Sequence, residues 1–243
     1  MKNTNELLSR VLEAHGGMDK WNAFQHIEAH VQIGGLTWTI KGHEGILSDI
    51  VFTGALHEQK ASWESIYSPG WTSEFDAGRV ALLDAEGKVV EELRNPGASF
   101  AGHTIETPWS RMQLIYFCSY ATWNYLTTPF NFTLPGYEVN EIEPWQEGEE
   151  TWRRLEVTFP GNIATHSKKQ RFYFDQHYHL RRHDYWPEVL GGAAATQIID
   201  GYKEFSGIKT GTERRIYILN DADNSYQTEP VLVSIDVLDI QFS

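Results

Sequence analysis

The sequence predicts one α+β domain, mainly β, in which a curved antiparallel sheet (an unclosed barrel) wraps around a buried aromatic helix. Two observations lead to this prediction. About ten segments alternate between apolar and polar residues as strands do, and one segment, 107–128, has helical length and almost no charge. No repeat, low-complexity run or long linker divides the chain, so we expect a single domain over 1–243.

Short helices are expected at the start of the chain, over 1–25. Asn3 or Thr4 can cap the first one, and leucine and valine follow at helical spacing. The His-Gly-Gly motif at 15–17 ends this helix, because glycine readily adopts the left-handed conformation of a helix C-cap. A second short helix is expected over 19–24.

The first strands are expected over 26–106 and the remaining strands over 150–243. We expect segment 36–41 to form a strand after the glycines that follow the first one. The loop 84–87 should join two strands in a hairpin. In the last strand, the parity of the apolar residues changes between Val237 and Leu238, which predicts a β-bulge.

The central helix is expected within 107–128, with Thr107 as its cap and Pro108 at its first position. Apolar residues cover nearly its whole circumference, which indicates burial on all sides. Arg111 is its only charged residue. A buried guanidinium needs an acidic partner or an anionic ligand. The predicted acidic partner is Glu141, Glu143 or Asp236.

Aromatic side chains make up 13% of the sequence, and many lie on this helix. Stiff rings between a helix and a curved sheet can border a pocket for an apolar or aromatic ligand. The same rings can instead form a closely packed core. The residues predicted to line the pocket are Trp109, Met112, Tyr116, Tyr120, Trp123 and Tyr125.

The composition argues against several partners and sites. The 33 acidic and 20 basic residues give a net charge of −13, which disfavours nucleic acid and anionic membrane surfaces. Prolines and polar residues interrupt the longest uncharged stretch, so no membrane insertion is expected. The single cysteine excludes an internal disulfide framework. The first ten residues contain no apolar segment of a secretory signal, so a cytoplasmic location is expected.

Two parts of the sequence carry a family resemblance. One is the opening helix with the motif at 15–17, Trp21 and a first strand over 27–33; the other is the run 200–208 before a strand that begins at Arg214. These features resemble the outer-membrane lipoprotein carrier (LolA-like) superfamily, an unclosed β-barrel that holds helices against its concave face. The chain also resembles uncharacterised bacterial proteins of similar length. The resemblance implies a hydrophobic cavity, and no catalytic residue carries over from it.

Candidate catalytic groups are few. A buried histidine oriented by a carboxylate is the usual general base, and the candidates are His183, His166 and His103. The commoner alternative for each is a structural or surface histidine. Arg111 is the candidate for charge stabilisation. His183 and Asp184 should point to opposite faces of their strand, so we do not expect them to pair.

Metal and cofactor sites are not predicted. His177 and His179 have a spacing that would suit metal ligands on a strand, but segment 175–179 has the character of a hairpin loop. Arg181 and Arg182 would also disfavour a bound cation. The sequence contains no phosphate-binding loop, dinucleotide fingerprint, nucleophile elbow or zinc-protease helix.

Three functions remain open from the sequence. The first is the binding of a hydrophobic small molecule between sheet and helix. The second is a cofactor-independent isomerase, lyase or cyclase, which requires a histidine or carboxylate inside the cavity, hydrogen-bonded to a second ionisable group. The third is a structural or interaction protein with a filled core and an exposed apolar patch. The sequence indicates neither the ligand nor the oligomeric state.

Overall fold

A computed structural model describes residues 6–243, which form a large antiparallel sheet and four α-helices. The helices are α1 (Glu6–Ala14), α2 (Met18–Trp21), α3 (Leu36–Lys41) and α4 (Arg111–Thr127). The strands are β1 (His26–Gly34), β2 (Ile50–Ala55), β3 (Lys60–Glu64), β4 (Thr72–Asp76), β5 (Arg79–Leu83), β6 (Val89–Arg94), β7 (Glu138–Glu147), β8 (Glu150–Thr158), β9 (Lys169–Phe174), β10 (Leu180–Tyr185), β11 (Ala195–Phe205), β12 (Ile208–Asn220), β13 (Ser225–Tyr226) and β14 (Val233–Phe242). Short 3₁₀ helices cover Pro96–Phe100, Phe130–Thr133 and Glu188–Leu190.

The sheet is open, with β6 at one edge and β7 at the other. Its strand order is β6-β5-β4-β3-β2-β1-β14-β12-β11-β10-β9-β8-β7, and β13 pairs with β12. The first and last strands of the chain therefore meet at its middle. The predicted fold class, a mainly β protein with an unclosed antiparallel sheet around a central helix, is confirmed.

The predicted bulge in the last strand lies where β14 pairs with β1. His30 is opposite Asp239 and Val31 is opposite Val237, so Leu238 is the extra residue. Its side chain is exposed, while Val237 and Ile240 on either side are buried. The bulge keeps both apolar runs of β14 on the core side although their parity differs. The hairpin between β5 and β6 is also confirmed.

Helix α4 lies between the two halves of the sheet, and every residue from Met112 to Thr127 is buried. The expected burial on all sides is thus confirmed, but the predicted cap was wrong. Ser110 is the N-cap. Its hydroxyl accepts a hydrogen bond from the backbone N–H of Gln113, and the side-chain oxygen of Gln113 accepts one from the backbone N–H of Ser110. This reciprocal pair satisfies two backbone donors at the first turn of the helix, which Thr107 and Pro108 cannot do from their positions.

Segment 36–41 is a helix, α3, and the strand predicted there was wrong. Gly35 has φ +111°, and a Cβ atom at this position would lie 2.5 Å from the Leu232 carbonyl oxygen. The close approach of the 231–233 segment therefore requires glycine, and the chain turns out of the sheet there. The Trp38 indole nitrogen then donates to the Gly34 carbonyl oxygen (2.9 Å), and the ring is buried.

The sequence also led to predictions about the N-terminal helix cap and the number of strands. The caps expected at Asn3 or Thr4 lie outside the described residues. The strands β3, β4 and β7, which alternate weakly or carry many charged residues, were missed. Over residues 6–243, none of the helices has the length and apolarity that crossing a bilayer requires.

Candidate functional site

An apolar cavity lies between α4 and the concave face of the sheet; we call it the inner cavity. Its volume is about 50 Å³. The side chains of α4 that line it are Phe117, Cys118, Ala121, Thr122 and Tyr125. The opposite wall consists of Ile33, Thr37, Trp38, Tyr185, Pro187, Leu190, Ala195, Ile216, Leu232, Val233 and Ile235. Three of the five α4 residues in this wall have small side chains: Cys118, Ala121 and Thr122. These small side chains leave space between the helix and the curved sheet.

The inner cavity adjoins a second space, which we call the outer pocket, of about 150 Å³. The two share the wall residues Thr37, Pro187, Leu190, Ala195 and Leu232. The rim of the outer pocket includes Ile105 and Ile218, whose side chains are 44% and 54% exposed. Exposed aliphatic residues at this rim offer an apolar molecule a first contact beside the inner cavity.

Lys41 also lines the outer pocket, and its side chain is hydrogen-bonded to the loop that carries Ile105 of the rim. The buried ammonium group donates to the backbone carbonyl oxygens of Thr104 (3.1 Å), Ile105 and Thr107 (3.0 Å), and it lies 4.8 Å from the centre of the Trp109 ring. Burial lowers the pKa of Lys41 to about 8. These contacts fix the 101–110 loop against α3.

His166 lies behind the inner cavity in a chain of hydroxyl groups. Its Nε2 atom is 2.7 Å from the Tyr125 hydroxyl, and its Nδ1 atom is 3.2 Å from the Tyr120 hydroxyl. Tyr125 donates to the Tyr185 hydroxyl (2.9 Å), and the Tyr185 ring stacks on the imidazole. This pattern suits a neutral imidazole that donates from Nε2 and accepts at Nδ1. Burial lowers the pKa of His166 to about 3, so the ring is neutral at physiological pH.

His183 lies on the same side of the sheet. Its Nε2 atom donates to the Gln170 side-chain oxygen (2.6 Å), and its ring stacks on Phe172. Burial lowers the pKa of His183 well below its ordinary value. The expectation that His183 does not pair with Asp184 is confirmed, because Asp184 binds Arg182 on the opposite face.

The polar group behind the inner cavity consists of His166, His183, Gln197, Arg214 and the tyrosines at 120, 125 and 185. Arg214 was not predicted from the sequence. Its guanidinium is buried and donates to the Gln197 side-chain oxygen (2.9 Å) and the Tyr125 carbonyl oxygen (3.2 Å). A signal was present, since Arg214 has the same parity as Thr212 and Ile216 in an alternating strand. Burial lowers the pKa of Arg214 from its ordinary value, although a guanidinium keeps its charge at neutral pH.

Solved structures with the same architecture come from several bacteria. A domain described as an outer membrane lipoprotein-sorting protein from Vibrio parahaemolyticus is 12% identical, with a TM-score of 0.53 over 98% of this chain and 91% of that one. A LolA superfamily protein from Nitrosomonas europaea is 9% identical, with a TM-score of 0.54 over 98% and 92%. The fold is LolA-like. A DUF1329 family protein from Desulfovibrio piger is 12% identical, with a TM-score of 0.52 over 98% and 92%. No family model and no curated protein matches the sequence.

Of the six predicted lining residues, Trp109 precedes α4 and the other five lie on different sides of it. Tyr125 lines the inner cavity. Tyr116 lines a separate open pocket near Phe159. Met112, Tyr120 and Trp123 lie on another face of α4, and these three and Trp109 are buried in the core away from the cavity wall. Their part in ligand binding stays a prediction.

The LolA-like fold also separates the four candidate catalytic residues. His166 and His183 both lie beside Tyr125 and Tyr185. His103 lies in the 101–110 loop, with its ring against Phe100. Arg111 is exposed at the first turn of α4 and pairs with Glu91 at 2.8 Å. The expectation of a buried Arg111 was wrong, because the helix begins there and its first residue reaches solvent and β6.

The histidines at 177 and 179 lie in the loop between β9 and β10, as expected. The His179 ring stacks on Tyr202. Within the part of the chain that the structure describes, no group of three histidine, cysteine or acidic residues is arranged to hold a metal ion. Cys118 is buried, and burial raises the pKa of its thiol, so it is not a ready nucleophile.

Proposed function

We propose that this protein binds a hydrophobic small molecule, or the apolar part of a larger one, in the inner cavity. The observation that supports this proposal most directly is that the apolar inner cavity shares five wall residues with the outer pocket, whose rim exposes Ile105 and Ile218. The description of one similar structure as a lipoprotein-sorting domain agrees with a lipid-like ligand.

The size of the two spaces limits the ligand. An apolar cavity of about 150 Å³ holds a molecule of the size of benzene. The inner cavity alone, at about 50 Å³, is smaller than this, so a single ring or a short alkyl chain would extend from it into the outer pocket, at about 150 Å³. A longer molecule would extend through the rim. Octanol is thus a suitable neutral probe for the site.

Filling the cavity should abolish binding. Ala121 lines the inner cavity from α4, so Ala121→Phe places a ring where the ligand would lie. We expect isothermal titration calorimetry to show octanol binding to the wild type and at least about tenfold weaker binding to Ala121→Phe. The matched control is Ala222→Phe, because Ala222 is exposed in the turn before β13. Equal octanol binding by the two variants, or none by the wild type, would contradict the proposal.

A second function is favoured by one observation: Tyr125 and Tyr185 line the inner cavity, and their hydroxyl groups are hydrogen-bonded to His166 or to each other. Such a chain can donate a proton to a bound molecule, as in a cofactor-independent isomerase, lyase or cyclase. His166 is a poor general base at neutral pH, since burial lowers its pKa to about 3.

Tyr185→Phe separates the two functions. A simple carrier should bind octanol within about twofold of the wild type after this change, because the ring and its apolar contacts remain. An enzyme should instead lose turnover. The measurement is native mass spectrometry of protein purified from its host, which identifies a bound molecule, followed by incubation of that molecule with wild type and variant. Conversion by the wild type alone would establish the enzyme and overturn the carrier.

A further inference from the structure

Two arginines are buried in this sheet, and their surroundings differ. Arg182 on the convex face binds the Asp184 carboxylate through two hydrogen bonds, at 2.8 and 3.0 Å. Arg214 on the concave face forms no ion pair with any carboxylate in residues 6–243. A buried guanidinium is costly unless a counter-charge lies beside it. Arg182 has such a counter-charge and Arg214 does not, so the burial of Arg214 needs another explanation.

The polar atoms around Arg214 point to a missing acceptor. Arg214 uses two of its nitrogens on the Gln197 oxygen, the Tyr125 carbonyl and the Thr210 hydroxyl. Its Nε atom is buried and has no hydrogen-bond partner in the described residues. The Gln197 Nε2 atom is buried too and meets no acceptor with full hydrogen-bond geometry there, although the Gln197 side chain lies close enough to the Tyr125 hydroxyl to lower its pKa. Both atoms are donors, and buried donors are rarely left unpaired. One acceptor group with two oxygens would satisfy both.

These donors lie next to the inner cavity. Ile216 and Ala195 line it, and each is two residues along its strand from Arg214 or Gln197, on the same face. Two residues along a strand span about 7 Å. Tyr125 forms the direct link, because its ring lines the cavity and its carbonyl oxygen accepts from Arg214. Arg214 and Gln197 do not themselves line the cavity but lie one strand repeat beyond its wall, behind Tyr125.

We propose that the ligand carries a carboxylate, which pairs with Arg214 Nε and Gln197 Nε2 while its apolar part occupies the inner cavity. This inference rests on the proposed function and adds the class of ligand: a small amphipathic acid bound with its charged end inward. The acidic surface, at a net charge of −13, repels anions. Selectivity for the acid therefore arises from the buried pair and not from attraction at long range.

The test compares octanoate with octanol, which differ only in the head group. By isothermal titration calorimetry, the wild type should bind octanoate at least about tenfold more tightly than octanol. Arg214→Met should bring the two affinities within about threefold of each other. The control is Arg215→Met, the next residue on β12, whose side chain faces the other way and pairs with Asp236. It should keep the preference for octanoate.

A second variant decides the question if Arg214→Met does not fold. Gln197→Glu replaces the side-chain amide, whose oxygen lies 2.9 Å from Arg214 Nη1, by a carboxylate. It should raise the melting temperature, because Arg214 gains a counter-charge, and remove the preference for octanoate while octanol still binds. Equal binding of octanoate and octanol by the wild type would overturn this inference and leave the proposed function standing. Failure of octanol to bind would overturn the proposed function itself.

Discussion

Replacement of Asp184 by alanine is expected to lower the free energy of unfolding by about 3–5 kcal/mol. Asp184 is fully buried and accepts from Arg182, from the Tyr173 hydroxyl (2.6 Å) and from the Thr196 hydroxyl (2.6 Å). Without it, the Arg182 guanidinium stays buried between aromatic rings and keeps only the long contact with the partly exposed Glu147 carboxylate, at 3.5 Å. Urea unfolding followed by tryptophan fluorescence measures the loss.

The double variant Arg182→Met/Asp184→Ala should be more stable than Asp184→Ala alone, because no unpaired charge remains inside. The methionine side chain keeps an apolar contact with Tyr173, whose ring lies 4.8 Å from the guanidinium. Asp236→Ala is the control: its pair with Arg215 is partly exposed, so the cost should be under about 1 kcal/mol. If Asp184→Ala lowers the free energy of unfolding by less than about 1 kcal/mol, the pair of Arg182 and Asp184 does not stabilise the convex face of the sheet.

The parts of the fold that local periodicity determines could be predicted from the sequence. The parity change at Leu238 located the bulge, and the run over 107–128, with Arg111 as its one charged residue, located the buried helix. Segment 36–41 could not be predicted in this way. Its conformation depends on the close approach of Gly35 to Leu232, a contact between residues far apart in the chain. Local alternation carries no information about such an approach.

The candidate site was harder to predict, because its members come from distant segments. His166 lies in a loop without periodicity, and its partners Tyr120 and Tyr125 are on α4. Arg214 stands beside Arg215 in the sequence, and only the strand parity separates the buried from the half-exposed one. The cytoplasmic location expected from the sequence stays a prediction.

Acid should destabilise this protein steeply, well before the carboxylates are all protonated. Burial lowers the pKa of His15 to about 4, that of His166 to about 3 and that of His183 well below its ordinary value. In the unfolded chain, histidine takes up a proton near pH 6.5. Below that pH the unfolded state binds more protons than the folded state, so the free energy of unfolding falls as the pH falls.

The expected slope is about 1.4 kcal/mol per pH unit for each buried histidine, or about 4 kcal/mol per unit for the three together between about pH 6 and 4. Urea unfolding at a series of pH values measures it. His166→Gln should reduce the slope by about a third, because one of the three protons is no longer taken up on unfolding. His26→Gln, at an exposed position, should leave it unchanged. The comparison of variants removes the contribution of the carboxylates, which titrate alike in all of them. A wild-type slope near zero between pH 6 and 5 would mean that these histidines are protonated in the folded state, and that the polar group behind the inner cavity is open to water.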